Sequence, residues 1–202
     1  MNKILLPELY ESENFYKYFQ CDHLSDLEDK LNYLYENYPN AILDVFENSL
    51  SADDPQIALL DSNYFKLTQE IKYINFINKC FDMCRETCYI NIEIDFENFD
   101  NFLYYFPLQD TVDKYIFLNI FKKATKKNDF YKIVDRMLLT LFIKNGLREQ
   151  MHFTIYFPDI EMLLFSNYDL SLPIVFKKKI DMDMYQKILT ENELFFRDKS
   201  NP

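Results

Sequence analysis

Glycine is nearly absent from this chain of 202 residues, which contains only Gly146. The phosphate-binding loops of P-loop and dinucleotide-binding proteins need several glycines, because their backbone N–H groups must come close to the anion. The sequence therefore excludes both kinds of loop. Gly146 follows an apolar run at residues 137–143, and this placement predicts a helix C-cap in the left-handed conformation that glycine adopts at little steric cost.

Histidine is also scarce, since only His23 and His152 are present. This scarcity limits general acid–base chemistry near neutral pH. The G-x-S-x-G and H-E-x-x-H motifs of hydrolases are missing from the sequence. Cys21 and His23 are close in sequence, but the fold, not sequence neighbourhood, brings catalytic pairs together. These observations disfavour hydrolysis by a nucleophile–histidine–acid triad.

The sequence has no long apolar run, and its basic residues are fewer than its acidic ones. No run reaches the roughly 18 residues of a membrane span, and the N-terminal apolar run is too short for a secretory signal. The chain has 22 Lys and Arg against 33 Asp and Glu, a net charge of −11, which argues against DNA or an anionic membrane as a partner. The many Phe and Tyr side chains then predict a core, not a nucleic-acid surface. We expect a cytoplasmic protein that binds neither nucleic acid nor membrane.

The four cysteines raise the question of a metal site. Cys80, Cys84 and Cys88 follow one another at four-residue steps along one helix stripe, and with Cys21 and His23 they would supply zinc ligands. Closed zinc sites, however, usually place C-x2–4-C pairs on turns, and a free cysteine packs as a small hydrophobic residue. We therefore predict free thiols that serve packing, and no metal or other cofactor.

Hydrophobic periodicity predicts the secondary structure. Ser25, with Glu28 three residues later, forms a capping box before a helix that ends near Tyr38. Asn40 is predicted to cap a second short helix, and a longer helical pattern covers residues 64–85. Strict alternation at residues 89–96 predicts a strand with one buried and one wet face.

Residues 151–176 contain three apolar runs separated by two short polar breaks, as in a small antiparallel sheet. Pro173 lies in the third run and predicts an edge strand or a bulge, because proline cannot donate a ladder hydrogen bond. Together these patterns predict a single α+β domain over residues 1–202. It has a helical N-terminal half and a small, mostly antiparallel sheet of about four strands packed against helices.

Charge is unevenly distributed along the chain. Residues 1–113 carry 22 acidic and 7 basic side chains, whereas residues 114–202 carry 11 acidic and 15 basic ones. If the two halves lie on different sides of the molecule, one face is acidic and attracts a basic partner. The alternative is an acidic surface that only keeps the protein soluble.

The clearest acidic cluster follows the alternating strand and consists of Glu93, Asp95, Glu97 and Asp100. We predict that it binds a basic protein partner. The expected function is therefore that of a non-enzymatic acidic inhibitor, most simply an immunity-type protein of a bacterium that neutralises a basic nuclease toxin.

Three alternatives stay open: a phage antagonist of a host defence protein, an enzyme with an unrecognised carboxylate or metal site, and a structural or oligomeric component. The sequence leaves the oligomeric state open.

Overall fold

A computed structural model describes residues 8–51, 53–93, 111–123, 130–178 and 182–197 of the chain. In these residues eight strands form one antiparallel sheet. The strands are β1 (Tyr10–Glu11), β2 (Asn40–Asp44), β3 (Cys88–Glu93), β4 (Phe130–Ile133), β5 (His152–Phe157), β6 (Met162–Phe165), β7 (Leu172–Phe176) and β8 (Phe195–Arg197). A 3₁₀ helix spans Phe15–Phe19. The α-helices are α1 (Leu27–Asn37), α2 (Ile57–Leu60), α3 (Asn63–Met83), α4 (Thr111–Lys123), α5 (Arg136–Leu147) and α6 (Met182–Glu191).

The strand order across the sheet is β1-β4-β3-β5-β6-β7-β2-β8. The sheet therefore joins strands that are far apart in sequence: β2 from the N-terminal half pairs with β7 on one side and β8 on the other. The prediction of a helical N-terminal half beside a sheet of about four strands is wrong. The strand predicted at residues 89–96 is confirmed over residues 89–93 as β3, and residues 94–96 lie outside the described residues. The three runs of residues 151–176 are confirmed as β5, β6 and β7.

The segment Asn40–Asp44 was the main source of this error. Its apolar residues fit a helical step, but a short continuous apolar run fits a fully buried strand equally well. In the structure Ala41, Ile42 and Leu43 are buried in the ladder between β7 and β8.

Pro173 also departs from its prediction, because β7 is an interior strand. It lies opposite Ile42, and the ladder of β7 with β6 begins only at the next residue.

Helices cover one face of the sheet. The long helix α3 packs against α5, and both contribute to one large apolar cluster with α4, α6 and one set of alternating strand positions. Phe153, Ile155 and Phe157 are the positions of β5 that belong to this cluster. We call α3, α4, α5 and α6 the helical layer. In the part of the chain that the structure describes, no helix is long and apolar enough to cross a membrane.

The opposite face of the sheet is covered by residues 12–38, which we call the N-terminal layer. It consists of the 3₁₀ helix, a short loop and α1. Phe15, Tyr16, Phe19 and Leu34 pack with the other set of strand positions, including Tyr156, in a second apolar cluster. Because both faces are covered, β6 and β7 are buried at every position, as their unbroken apolar sequences require.

Gly146 does not cap a helix as predicted. It lies inside α5, and no glycine in the described residues has a positive φ. A Cβ atom at this position would lie 2.2 Å from Cε1 of Phe153, so the glycine allows α5 to pack closely on β5. The left-handed position after the helix is taken instead by Glu149, with φ of 58°.

Left-handed backbone positions are held by residues other than glycine throughout the described chain. They are Gln20, Arg85, Glu86, Glu149, Glu161, Asp169, Leu170 and Glu193. Arg85 and Glu86 form a turn in which the Thr87 N–H donates to the Cys84 carbonyl at 3.0 Å. Positive φ at both central residues of such a turn is the pattern of type I′, which normally favours Asn-Gly.

A buried ion pair fastens the β8 edge of the sheet. Arg197 Nη2 lies 2.7 Å from Oδ2 of Asp44, which is 2% exposed, and Ser171 Oγ donates to the same oxygen at 2.8 Å. In the helical layer, Arg148 makes two hydrogen bonds to the Glu70 carboxylate, at 2.5 and 2.9 Å. Such paired, forked geometries offset much of the cost of burying charge.

We expect Gly146→Ala to destabilise the protein by about 1–3 kcal/mol, because the new methyl group overpacks against the Phe153 ring. In an exposed helix the same change would stabilise by roughly 1 kcal/mol. Urea unfolding of Gly146→Ala, Phe153→Leu and the double variant tests the contact. The cost of the alanine should shrink when Phe153 is leucine, and an unchanged cost in that background would contradict the proposed clash.

Replacing Arg85 tests the left-handed turn. Arg85→Gly should be more stable than Arg85→Ala by about 1–2 kcal/mol, because only alanine keeps the steric penalty of a positive φ. Both variants remove the same exposed side chain and its 3.4 Å contact with Asp159, so each controls for the other. Equal unfolding midpoints for the two variants would show that the turn does not hold Arg85 in the left-handed conformation.

Candidate functional site

Tyr16 fixes the N-terminal layer to the sheet. Its ring is fully buried, and its hydroxyl donates to Thr154 Oγ1 at 2.8 Å, with Asn91 Oδ1 at 3.5 Å. The 3₁₀ helix that carries Tyr16 begins with Asn14, whose side chain accepts from the Tyr16 N–H at 2.9 Å. It ends at Gln20 in the left-handed conformation. The buried hydroxyl pair thus sets the position of this short helix on strands β3 and β5.

Aromatic rings line up along one edge of the N-terminal layer. Tyr156 of β5 lies at the centre, with the rings of Phe15 and Tyr18 stacked at 5.6 Å and the ring of Tyr89 at 6.3 Å. Tyr156 is 6% exposed, whereas Tyr18 is 46% exposed. Burial raises the pKa of Tyr156 to about 12, so its hydroxyl stays protonated and neutral at physiological pH. We call these four residues the aromatic wall.

The aromatic wall bounds an open cleft of about 410 Å³ between the N-terminal segment and strands β3, β4 and β5. Its lining residues are Glu11, Ser12, Glu13, Phe15, Tyr18, Tyr89, Lys132, Tyr156 and Pro158. Lys132 is half-buried and makes no ion pair or side-chain hydrogen bond with any residue in the described ranges. The carboxylate of Glu13 contacts the ammonium of Lys17 at the surface, which lowers the pKa of Glu13 through that hydrogen bond. The cleft thus combines an apolar wall with both signs of charge.

The outer side of the N-terminal layer is acidic. Its exposed acidic residues are Asp22, Asp26, Glu28, Asp29 and Glu36. Asp26 also caps α1, accepting from the Glu28 N–H at 2.7 Å, so the helix begins one residue later than the capping box at Ser25 predicted. Lys30, the one cation of this helix, hydrogen-bonds the Ser25 carbonyl and lies over the Tyr16 ring.

The N-terminal layer and the four helices differ in their balance of charge. The N-terminal layer has six acidic and two basic side chains, while the described side chains of the four helices are four acidic and seven basic. The two layers cover opposite faces of the sheet. The N-terminal layer is therefore the more acidic of the two covers.

Of the acidic cluster predicted to bind a partner, only Glu93 lies in the described residues. It is the last residue of β3, and its backbone pairs opposite His152. Asp95, Glu97 and Asp100 lie outside the described ranges, so their predicted role stays a prediction. The predicted wet face of this strand is covered at Asn91, which is 7% exposed beneath Tyr16.

The four cysteines, which the sequence predicts to be free and to serve packing, lie in two separate places. Cys21 packs in the cluster under the N-terminal layer, whereas Cys80, Cys84 and Cys88 pack on the other side of the sheet. All four are free and buried, and burial raises the pKa of each thiol. Within the ranges described, no group of three or more His, Cys, Asp or Glu side chains could hold a metal ion.

Sequence reasoning missed the cleft because its residues come from four separate segments. The signal closest to it was the density of aromatic residues in Phe15–Phe19, which lacked a clear period. Nothing in the sequence linked that segment to Tyr89, Lys132 or Tyr156. Only the sheet order, with β4 and β3 beside β5, brings these side chains together.

The Tyr16–Thr154 hydrogen bond can be measured with a double-mutant cycle. Tyr16→Phe should cost about 1–2 kcal/mol of unfolding free energy, because the buried Thr154 hydroxyl loses its shortest partner. Thr154→Val should have a similar cost, and the double variant should cost less than the sum. Strict additivity in urea unfolding would show that the two hydroxyls do not depend on each other.

Comparisons with protein-family models, with curated proteins and with solved structures find no match to this chain, so its function is argued from the acidic layer and the cleft themselves.

Proposed function

We propose that this protein is a non-enzymatic acidic binding protein, of the immunity type, that neutralises a basic protein partner such as a nuclease toxin. The observation that carries the proposal is the acidic outer side of the N-terminal layer, which has six acidic side chains and two lysines and covers the face of the sheet opposite the helical layer. A field of this kind orients an approaching basic protein toward one side of the molecule and raises the rate of productive encounters.

Few contacts inside the N-terminal layer involve its acidic side chains, so most of them can bind a partner's cations. Both of its lysines are already engaged, Lys17 with Glu13 and Lys30 with the Ser25 carbonyl and the Tyr16 ring. Within the described residues, no ion pair is made by Asp22, Glu28, Asp29 or Glu36. A partner's lysines and arginines would therefore meet carboxylates that form no ion pair with the described residues.

The mode of action would be steric and electrostatic. A nuclease binds its substrate through a cationic surface, and an acidic layer docked on that surface would both neutralise it and exclude nucleic acid. No catalytic step by this protein is required.

The predicted contact at Glu93, Asp95, Glu97 and Asp100 is a separate part of the proposal. Charge reversal at Glu93 and Asp95 tests it in the binding assay described below for the N-terminal layer.

Two matched triple variants test the proposal. The first, Asp22→Lys, Glu28→Lys and Glu36→Lys, reverses charge on the N-terminal layer. The control, Glu47→Lys, Asp53→Lys and Asp61→Lys, makes the same change in net charge at exposed positions outside that layer. Each purified protein is used to capture binding proteins from the cells that encode it, and the association rate of the captured partner is then measured.

We expect a basic partner that the wild type and the control capture and that the first variant loses. Its association with the first variant should be slower by about 10- to 100-fold at low salt, and the difference should largely disappear near 0.5 M salt because of screening. Equal association rates for the two triple variants, or a captured partner that is itself acidic, would refute the proposal.

A further inference from the structure

We propose that the cleft beside the aromatic wall binds a small aromatic zwitterion, with the chemistry of a free aromatic amino acid. The cleft places a planar apolar wall, one cation and carboxylates around a single volume of about 410 Å³. This inference does not depend on the acidic partner surface, since it rests on different residues.

The aromatic wall favours a flat apolar group. The rings of Phe15, Tyr18 and Tyr89 are each inclined by 27–30° to the ring of Tyr156. Phe15 and Tyr156 are nearly buried, so Tyr18, which is 46% exposed, offers most of the accessible ring surface together with the half-buried Tyr89. The Lys17 ammonium lies 5.3 Å from the Tyr18 ring centroid, so a ligand ring would stack beside this lysine. Offset or edge contacts between aromatic rings add to the free energy gained from burying their area.

Lys132 supplies the site for a carboxylate. Its side chain is half-buried and lines the cleft, yet it has no anionic partner within the described residues. Most other half-buried cations of the described chain have one: Lys66 contacts Glu149, Lys72 contacts Glu193 and Lys144 contacts Asp113. A ligand carboxylate at Lys132 would complete a charge-assisted hydrogen bond.

Glu13 and Ser12 supply the site for an ammonium group. Glu13 lines the same cleft, and its only ion pair in the described residues is the surface contact with Lys17. Exposed ion pairs are weak because water screens them, so the Glu13 carboxylate can turn from Lys17 to a ligand cation. An amino acid backbone, which carries both charges on neighbouring atoms, matches this arrangement better than an amine or an acid alone.

The size of the cleft agrees with such a ligand. Pockets for small molecules are about 300–1,000 Å³, and this cleft falls at the lower end of that range. A ligand with about 15 non-hydrogen atoms and the binding efficiency of ordinary small-molecule ligands binds only weakly in such an open cleft. The expected Kd is therefore on the order of 0.1–1 mM.

L-tryptophan is the most direct probe, because the protein contains no tryptophan and ligand fluorescence can be excited selectively. Anisotropy titrations would compare L-tryptophan with tryptamine, which lacks the carboxylate, with indole-3-propionate, which lacks the ammonium group, and with N-acetyltryptophanamide, which has neither charge. The variants are Lys132→Gln, Glu13→Gln and, as a charge-matched control at an exposed position of α3, Lys79→Gln.

We expect L-tryptophan to bind most tightly. Lys132→Gln should weaken L-tryptophan and indole-3-propionate about tenfold and leave tryptamine unchanged, while Glu13→Gln should weaken only the ligands with an ammonium group. Lys79→Gln should change none of them. Circular dichroism confirms that each variant is folded. Equal affinity for all four ligands, no saturable binding below 10 mM, or the same loss of tryptamine binding in Lys132→Gln would overturn the proposal.

Discussion

The central strands of this protein are apolar on both faces, and the rest of the architecture depends on that constraint. A strand that is buried on both sides cannot sit at a solvent surface, so β5, β6 and β7 need a cover above and below. The four helices of the helical layer supply one cover. The N-terminal layer supplies the other, held in place by the buried hydroxyl of Tyr16.

The placement of the N-terminal layer determines both candidate surfaces. This layer packs on the sheet through its apolar side chains, among them Phe15, Tyr16 and Leu34, and the charged side chains at its outer surface are mostly acidic. Where the layer meets strands β3 and β4 it leaves the cleft, so the two proposed binding functions share one structural element. A ligand in the cleft would contact the same short 3₁₀ helix that leads into the acidic helix α1.

Sequence periodicity predicted the elements whose partners are close in sequence or whose pattern is regular. The alternating residues of β3, the three strands of residues 151–176 and the long helix α3 were predicted for that reason. Sequence periodicity did not predict β2, because β2 pairs with β7 and β8, whose residues lie more than 120 positions away in the chain. The strands β1 and β8, of two and three residues, are too short to carry a period.

The same distinction applies to the candidate sites. The excess of acidic residues early in the chain was visible from sequence, and the structure places six of them on the N-terminal layer. The cleft was not visible, because Lys132 and Tyr89 are ordinary strand residues until β4 and β3 are placed beside β5.

Eight of the described residues other than glycine hold a positive φ, and this conformation affects which substitutions the turns can accept. Glycine codons all begin with two guanines, whereas Phe, Tyr, Ile, Asn and Lys, which are abundant here, have codons rich in adenine and thymine. A genome that drifts toward adenine and thymine loses glycine at its turns, and each left-handed position then carries a steric penalty. Replacement by glycine at those of the eight positions that lie outside the apolar core would remove that penalty, so they are places where the fold can gain stability without a change in its core.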